Sequence, residues 1–429
     1  MEVSSMHDQA QNSSSIKDSA APEEARCLKV MVYRDRYPTA FMTPRISRHE
    51  MVRTRFIPFN KLHSNWDGFT VTPPFQENDL VHAWNRIPFG ARRFICSFES
   101  SLPRGYGFPK SSLLLKVMQG AIESKHCRRL VAMSHYARRK FEFKHQHRES
   151  FPELKSKLMV RHPNVFLSDK PDALADDDCK TLTVTFVGSH FGRKGGAACV
   201  RAAELALERG LPIRFNIVSS LVAGESVWFD TTVPGFFDPY FRLLDLPNVN
   251  HINSLGNDSV RVLMRASHFT LLPTLGDTFG YSMIESMAEH TPVIATNICA
   301  VPEVVMDGFN GCLLNLDKTP RGDWNSLGYE ARGTEAYATQ YRDATEDVAQ
   351  QLVAKLAELV GQPETIHRMR RNARLTAEQM FSASSQSPLW DDLYDRVAAE
   401  DLNSRPFADP AIDISSPESP AHLLGDAAR

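Results

Sequence analysis

The sequence lacks several features that would assign it to a simple class. No stretch approaches the roughly 18 uninterrupted apolar residues of a membrane span, so we expect no transmembrane helix. The polar N-terminus has no apolar core of the kind that a secretory signal needs. The seven cysteines are an odd, scattered set without a C-x-x-C pair, which argues against a disulfide framework and a zinc site. We therefore expect buried free thiols in a cytoplasmic protein.

Common nucleotide-binding and hydrolase motifs are also missing. The glycine-rich stretch 188–196 fits neither G-x4-G-K-[ST] nor G-x-G-x-x-G. Ser282 follows Gly280 and Tyr281 but has no second glycine two residues later, so it does not fit the G-x-S-x-G pattern of a hydrolase nucleophile. These absences exclude a P-loop NTPase and give no support to a serine hydrolase.

The charge of the chain is unevenly distributed. The net charge is only −2, yet residues 27–165 carry 25 Lys and Arg against 10 Asp and Glu, while residues 166–429 carry 22 against 36. Either the first half binds something anionic, or the two halves attract one another across a cleft. With 42% hydrophobic and 23% charged residues, the composition is that of a globular protein.

The order of apolar runs and turns indicates two α/β domains. Predicted strands, which in the second half include 182–187, 213–218, 249–252 and 269–272, alternate with helical patterns in both halves. This alternation is typical of parallel sheets with helices on both faces. The predicted divisions are a disordered tail 1–26, a first Rossmann-like domain 27–167, a linker 168–180, a second Rossmann-like domain 181–365, terminal helices 366–400 and a disordered tail 404–429.

The most informative segment is 268–315. A short apolar run ends at Pro273, a polar loop follows, and an apolar-periodic segment runs from Tyr281 to Ala288. The helix predicted there begins at Gly280, Tyr281 and Ser282, and the backbone N–H groups of a helix N-terminus can bind a diphosphate. Glu285 lies on this helix, and Asp277 precedes it in the loop.

This segment resembles the signature of the retaining glycosyltransferases of family four, the glycosyl transferases group 1. The matching features are Asp277-x7-Glu285, Pro292-Val-Ile-Ala-Thr296, Pro302-Glu-Val304 and Asp307-Gly-Phe-Asn-Gly311, with Asp277 where the family has Glu. The resemblance implies the GT-B fold, in which two Rossmann-like doubly wound domains face a cleft. It also implies a nucleotide-sugar co-substrate and no further cofactor.

The resemblance assigns roles to two groups of residues. Gly188, Arg193 and Lys194 match the family's glycine loop, whose basic pair would bind the donor diphosphate. Asp277 would hold the transferred sugar, and Glu285 would accept the ribose hydroxyls. The plainer alternatives are a solvent-facing loop acid for Asp277 and a surface helix acid for Glu285.

The first half offers two further candidates for contact with sugar or acceptor. His82 and Glu99 are placed near the carboxyl ends of predicted strands, where open α/β sheets bind ligands. Each is equally explained as a satisfied polar group beside the cleft.

The basic, aromatic stretch 128–148 is compatible with an acidic membrane surface bearing a lipid-linked acceptor, and equally with a solvated helix face. It contains no nucleic-acid recognition motif, so we expect no nucleic acid partner.

A metal requirement is not expected. Asp176, Asp177 and Asp178 resemble the D-x-D motif of another glycosyltransferase fold, but their place in the linker favours a solvated charge run.

The expected partners are a nucleotide-sugar donor and a saccharide or lipid-linked acceptor. Alternatives are a catalytically silent sugar-nucleotide binding protein, a sugar-nucleotide epimerase, or a phosphorylase, which a covalently bound pyridoxal cofactor would reveal.

Overall fold

A computed structural model describes residues 26–34, 42–55, 57, 59–63, 66–105, 108–109 and 111–404. The two predicted disordered tails therefore lie outside the described residues, except for Arg26 and Ser404. No helix in the described part is both long and apolar enough to cross a membrane. All seven cysteines are free thiols, and six of them are buried.

The first half forms one six-stranded parallel sheet in the order β2-β1-β4-β6-β7-β8, and β3 and β5 pair separately. Its elements are β1 (Lys29–Arg34), β2 (Glu50–Arg55), β3 (Phe69–Val71), β4 (Leu80–Trp84), β5 (Ile87–Phe89), β6 (Phe94–Phe98), α1 (Leu113–Glu123), β7 (Cys127–Ala132), α2 (His135–His145), α3 (Phe151–Lys157) and β8 (Leu158–Val160).

The second half forms another six-stranded parallel sheet, in the order β11-β10-β9-β12-β13-β14. Its elements are β9 (Leu182–Val187), α4 (Gly196–Glu208), β10 (Ile213–Val218), α5 (Asp238–Arg242), β11 (Val249–Ile252), α6 (Asn257–Arg265), β12 (Phe269–Leu272), α7 (Tyr281–Ala288), β13 (Val293–Thr296), β14 (Gly311–Leu314) and α8 (Glu335–Leu359). Short 3-10 turns are Phe59–Lys61, Gly224–Ser226, Leu243–Asp245, Val301–Glu303 and Tyr329–Ala331. The two sheets confirm the predicted fold of two Rossmann-like domains.

The centre of the second sheet explains where a ligand can bind. Strands β12 and β13 are buried at every residue, as expected for parallel strands with helices on both faces. The strand order reverses between β9 and β12, so the loops that follow these two strands separate and leave a crevice. These are the loops that contain Arg193, Lys194 and Asp277.

The C-terminal segment returns to the first domain. Helix α9 (Pro363–Thr376) is followed by a π-helical turn (Ala377–Phe381) and then by α10 (Ala383–Ala399). At this point two chain segments lie side by side: the N–H of Val165 donates to the carbonyl of Phe381 at 2.8 Å, and the N–H of Ala383 donates to the carbonyl of Val165 at 2.9 Å. Helix α10 then packs on the first sheet, where Trp390 and Tyr394 are buried.

Candidate functional site

The glycine loop after β9 is shaped by close contacts within the protein. A Cβ atom at Gly192 would lie 2.3 Å from the carboxylate of Asp230, and one at Gly195 would lie 1.9 Å from the carbonyl oxygen of Pro273. Gly195 also has a φ of +87°, which a side chain would strain. These glycines are therefore required by the packing of the loop itself, a reason that the sequence did not show.

Gly188 anchors the start of the same loop. Its N–H donates to the carbonyl of Val218 at 3.0 Å, and its carbonyl accepts a hydrogen bond from the Ser219 hydroxyl at 2.7 Å. A Cβ at Gly188 would lie 3.0 Å from Cδ of Lys194. Gly188 thus allows the stem of Lys194 to pass directly over the backbone toward the crevice.

Arg193 and Lys194 converge on the loop that follows β12. Nζ of Lys194 lies 2.7 Å from Oδ2 of Asp277, and Nη1 of Arg193 lies 3.5 Å from Oδ1 of the same carboxylate. Arg193 also donates to the carbonyl of Gly276 at 2.7 Å. The structure therefore brings together three of the residues that the sequence assigned to the site.

The charge of Asp277 is strongly stabilised. Burial would raise the pKa of Asp277, but the charges of Lys194 and Arg193 outweigh burial and hold this pKa at about 2. The three side chains are only 11% to 19% exposed, so water screens their attraction weakly. Without a ligand, Asp277 is the counter-ion of the basic pair, and an incoming diphosphate would compete with it.

Asp230 is a supporting residue that sequence reasoning missed. It is fully buried beneath the glycine loop, and it accepts hydrogen bonds from the Gly224 N–H at 3.0 Å and from the Tyr341 hydroxyl at 3.1 Å. Burial raises the pKa of Asp230 to about 7. The sequence signal is weak: one acid directly after the apolar segment Val227–Phe229, in no motif.

Helix α7 begins beside Asp277 and has no side-chain cap at its N-terminus. Gly280 occupies the cap position with a φ of +79°, and Ser282 is largely buried in the first turn. The Tyr281 hydroxyl instead contacts the first domain, because it donates to the carbonyl of Asn164 at 2.7 Å and meets the guanidinium of Arg45. The start of α7 is thereby fixed between the two domains. No side chain caps the backbone N–H groups at this end of the helix, which faces the crevice.

Glu285 lies one turn further along α7. Its Oε1 accepts a hydrogen bond from Asn257 on α6 at 3.0 Å. Burial raises the pKa of Glu285 to about 7, although the charges of Arg261, Arg45 and Lys194 act in the opposite direction. Glu285 is therefore a partly buried carboxylate within electrostatic reach of Lys194, which differs from the alternative of a solvated helix acid.

Of the two first-domain candidates, only Glu99 reaches this site. Its carboxylate pairs with Arg104 and accepts a hydrogen bond from the Thr278 hydroxyl at 3.4 Å, next to Asp277. His82 is buried behind the first sheet, where its ring nitrogens lie 2.8 Å from the Tyr394 hydroxyl and 2.7 Å from the Ser97 hydroxyl. Burial lowers the pKa of His82 to about 3. The expectation that His82 contacts sugar or acceptor is corrected: it is a satisfied core histidine beneath α10.

The structure excludes a surface role for the first two arginines of the basic stretch 128–148. Arg128 and Arg129 are buried on β7, and both guanidinium groups pair with the carboxylate of Glu400. Further along, Arg139 lies 3.7 Å from Glu303 and Lys140 lies 2.9 Å from Asp323. Several basic residues of the first half are thus paired with acids of the second half, which supports the explanation by mutual attraction.

One group of potential metal ligands occurs in the described part of the chain: Asp177, Cys179 and His268. Nδ1 of His268 accepts a hydrogen bond from the Thr183 N–H at 3.0 Å, so the ring proton is on Nε2, which lies 3.0 Å from Oδ1 of Asp177. A metal at Nε2 would require the opposite tautomer. The group precedes β12, at the end of the sheet away from the crevice, and is explained as a hydrogen-bonded linker contact.

Comparison with known proteins agrees with this geometry. Residues 181–321, which contain both crevice loops and α7, match the family model of glycosyl transferases group 1. A D-inositol 3-phosphate glycosyltransferase of Thermobifida fusca is 31% identical over 147 residues, which cover 32% of this chain and 31% of that protein. The matches to the first curated relatives span only 20% to 41% of their lengths.

Solved structures resemble most of this chain in fold. A glycosyltransferase from Rickettsia africae has a TM-score of 0.54 at 14% identity, covering 87% of this chain and 100% of that one. Anabaena HepE, solved with UDP-glucose, has a TM-score of 0.51 at 13% identity, covering 85% and 99%. At these identities the likeness shows the shared two-domain fold.

Proposed function

We propose that the protein is a retaining glycosyltransferase that moves a sugar from a nucleotide-sugar donor to a saccharide or lipid-linked acceptor. The observation that supports it most is the convergence of Lys194, Arg193 and Asp277 at the switch point of the second sheet, beside the uncapped start of α7. Two cations and a helix N-terminus are suited to a diphosphate that gains charge as it leaves.

The donor would lie across the crevice in an orientation set by these groups. The diphosphate would take the place of Asp277 as the partner of Lys194 and Arg193, and Glu285 would accept the ribose hydroxyls beyond it. The released carboxylate of Asp277 would then accept hydrogen bonds from the transferred sugar. Glu99 lies on the facing domain next to Thr278, where it can contact the same sugar or the acceptor.

The reaction breaks the bond between the anomeric carbon and the phosphate oxygen and forms a bond from that carbon to an acceptor oxygen. The acceptor proton passes to the departing phosphate oxygen on the same face of the sugar, so no separate nucleophile is needed. Neutralisation of the leaving group by fixed positive groups lowers the barrier because these groups need no reorganisation during the reaction. No step requires a metal ion, so activity is expected to survive EDTA.

The test is a panel of UDP-, GDP- and ADP-sugars, with UDP-glucose first because Anabaena HepE was solved with it. The matching donor should raise the melting temperature, since a ligand that binds only the folded state stabilises it. Release of nucleoside diphosphate with an acceptor mixture, and retained anomeric configuration by NMR, would support transfer. Absence of stabilisation by every nucleotide sugar would reject the proposal. Stabilisation without turnover would indicate a catalytically silent binding protein.

A further inference from the structure

A cavity of about 470 Å³ opens between the domains, and Phe229 in its wall packs against Gly276, the residue before Asp277. Its walls come from α2 of the first domain and from the loops after β10 and β14 of the second domain. Phe229 connects it to the donor site, because a Cβ at Gly276 would lie 2.7 Å from the Phe229 ring. Its volume is within the range of small-molecule sites, about 300–1,000 Å³.

An exposed aromatic pair forms one side of this cavity. The rings of Trp228 and Tyr329 are stacked, with centroids 4.3 Å apart and planes 22° from parallel, and the two residues are 50% and 48% exposed. The guanidinium of Arg332 lies 4.9 Å from the centroid of the Tyr329 ring. The C–H groups on one face of a pyranose carry slight positive charge and pack well on the negative face of such rings.

The aromatic pair is held in position from below. Arg332 donates to the carbonyl of Asp230 at 2.6 Å and to that of Val227 at 2.7 Å, and the Tyr337 hydroxyl donates to the carbonyl of Phe229 at 2.7 Å. The backbone on both sides of Trp228 is thus fixed without a ligand. A fixed surface loses little conformational entropy on binding, which favours affinity.

The charged side chains of the cavity leave an excess of positive charge. Three cations, Lys140, Lys144 and Arg321, line it together with one carboxylate, Asp323. Asp323 lies 2.9 Å from Nζ of Lys140 and 3.6 Å from Nε of Arg321. Nζ of Lys144 donates only to the carbonyl of Pro103 at 2.7 Å, and no carboxylate of the described residues lies within ion-pair distance. The guanidinium of Arg321 also lies 4.5 Å from the centroid of the Phe143 ring.

We propose that this cavity binds an acidic saccharide unit of the acceptor, with its ring on Trp228 and its anionic group at Lys144 and Arg321. The inference rests on the proposed glycosyl transfer, because it places the acceptor beside Asp277. The donor nucleotide is assigned elsewhere, since Glu285 and Asn257 lie on α7 and α6, and neither helix lines the cavity. The cavity therefore meets the donor site away from the residues assigned to the nucleotide.

The test measures binding of defined oligosaccharides to the full chain by calorimetry and tryptophan fluorescence. The probes are tetragalacturonate and a chondroitin sulfate tetrasaccharide as acidic ligands, with maltotetraose as the neutral comparison. An acidic probe should bind saturably and change the Trp228 emission, and the neutral probe should bind roughly tenfold more weakly or not at all.

Three variants locate the binding. Trp228→Ala and Lys144→Ala should each weaken the acidic probe about tenfold or more, as expected for the central groups of an interface. Lys116→Ala, which removes an exposed lysine of α1 outside the cavity, should leave it unchanged. Binding of the donor should remain normal in all three variants, because none of these residues contacts Lys194 or Asp277.

The outcomes separate this proposal from the proposed function. Absence of saturable binding by either acidic probe, equal binding of maltotetraose, or unchanged affinity in Trp228→Ala would overturn the acidic-saccharide site while donor stabilisation remained. If no nucleotide sugar raised the melting temperature, glycosyl transfer would be rejected instead. Saccharide binding at Trp228 would then be measured without reference to a donor.

Discussion

Two basic pairs in this chain look alike in sequence but differ in structure. Arg128 and Arg129 lie on the buried strand β7, and Glu400 pairs with both from the end of α10, with the three side chains only 0% to 7% exposed. Arg193 and Lys194 lie on a glycine loop at the crevice, and Asp277 from the neighbouring loop is their counter-ion. The first carboxylate is enclosed by the end of α10, while in the proposed function the second is exchanged for the donor diphosphate. A basic pair indicates an anion site only where its counter-ion can be replaced.

The largest effect is expected when the buried ion pairs of Glu400 with Arg128 and Arg129 are broken. Glu400→Gln removes the negative charge that pairs with two buried guanidinium groups, which should destabilise the first domain by about 3–5 kcal/mol. Urea unfolding measures the change. Glu358→Gln, in the exposed pair with Lys355, is the matched control and should change stability by less than about 1 kcal/mol. A loss of stability in Glu400→Gln as small as that in the control would show that Glu400 has no structural role.

The corresponding change at the crevice should affect binding, with little effect on folding. Lys194→Ala removes a charged contact to the diphosphate and should weaken binding of the nucleoside diphosphate by about 1.5–3 kcal/mol, measured by calorimetry. The melting temperature should stay close to wild type. Lys180→Ala, an exposed lysine of the linker, should leave binding unchanged. Wild-type affinity in Lys194→Ala would remove the basic pair from the donor site.

Removal of the exchangeable counter-ion sharpens the comparison. Asp277→Asn no longer competes with the diphosphate for Lys194, so donor affinity should hold or increase. Turnover should fall by about 10- to 150-fold, the range of one hydrogen bond to a charged group, if Asp277 also holds the sugar in the transition state. Steady-state kinetics with calorimetry separate the two effects. Wild-type turnover would transfer the sugar-contacting role to Glu99.

The smallest expected effect is a pH dependence from Glu285. Burial raises the pKa of Glu285 to about 7, so the carboxyl is protonated below pH 7 and cannot act as a pure acceptor for ribose hydroxyls. Donor affinity should therefore rise by up to about tenfold as the pH increases from 6 to 8. Burial and the neighbouring Arg193 lower the pKa of His190, which lies on the same glycine loop.

Glu285→Gln is the control for that measurement. It removes the titrating group but keeps the shape of the side chain, so affinity for the nucleotide sugar should be lower and independent of pH between 6 and 8. A nucleotide sugar is used because its diphosphate is esterified at both ends and has no secondary proton to lose in this range. The same pH slope in Glu285→Gln would assign the titration to another group.

The second domain was largely predictable from its sequence, because its central strands β12 and β13 are buried at every residue and appear as short apolar runs. The predicted strands 182–187, 213–218, 249–252 and 269–272 have the bounds that the structure shows. Strand β2 was missed because Glu50–Arg55 is a charged strand at the sheet edge, with no apolar run to mark it. Edge strands are commonly protected by such charges, and this protection also hides them from a hydrophobic pattern.

The candidate site was predictable where chemistry depends on short spacings, and was missed where it depends on distant contacts. Asp277, Glu285, Arg193 and Lys194 lie in two loop–helix segments, and parallel strands bring such segments to one edge of a sheet. The burial of Arg128 and His82 depends on α10, whose residues follow Arg128 by more than 250 positions. No local pattern contains that contact, so both residues resembled surface or cleft groups.

The chain segment at Phe381, which lies beside Val165 and leads into α10, has a consequence for how the protein folds during synthesis. The second domain and its crevice are built from one continuous stretch, while the first domain needs α10, which is synthesised after the whole second domain. Domains usually fold in order from the N-terminus during translation. Here the later domain is the first that can complete its core, and the earlier one waits with the surface beneath α10 uncovered. A chain that stops at Ser382 should protect the amides of β9 to β13 from hydrogen exchange but leave those of β4 and β7 poorly protected.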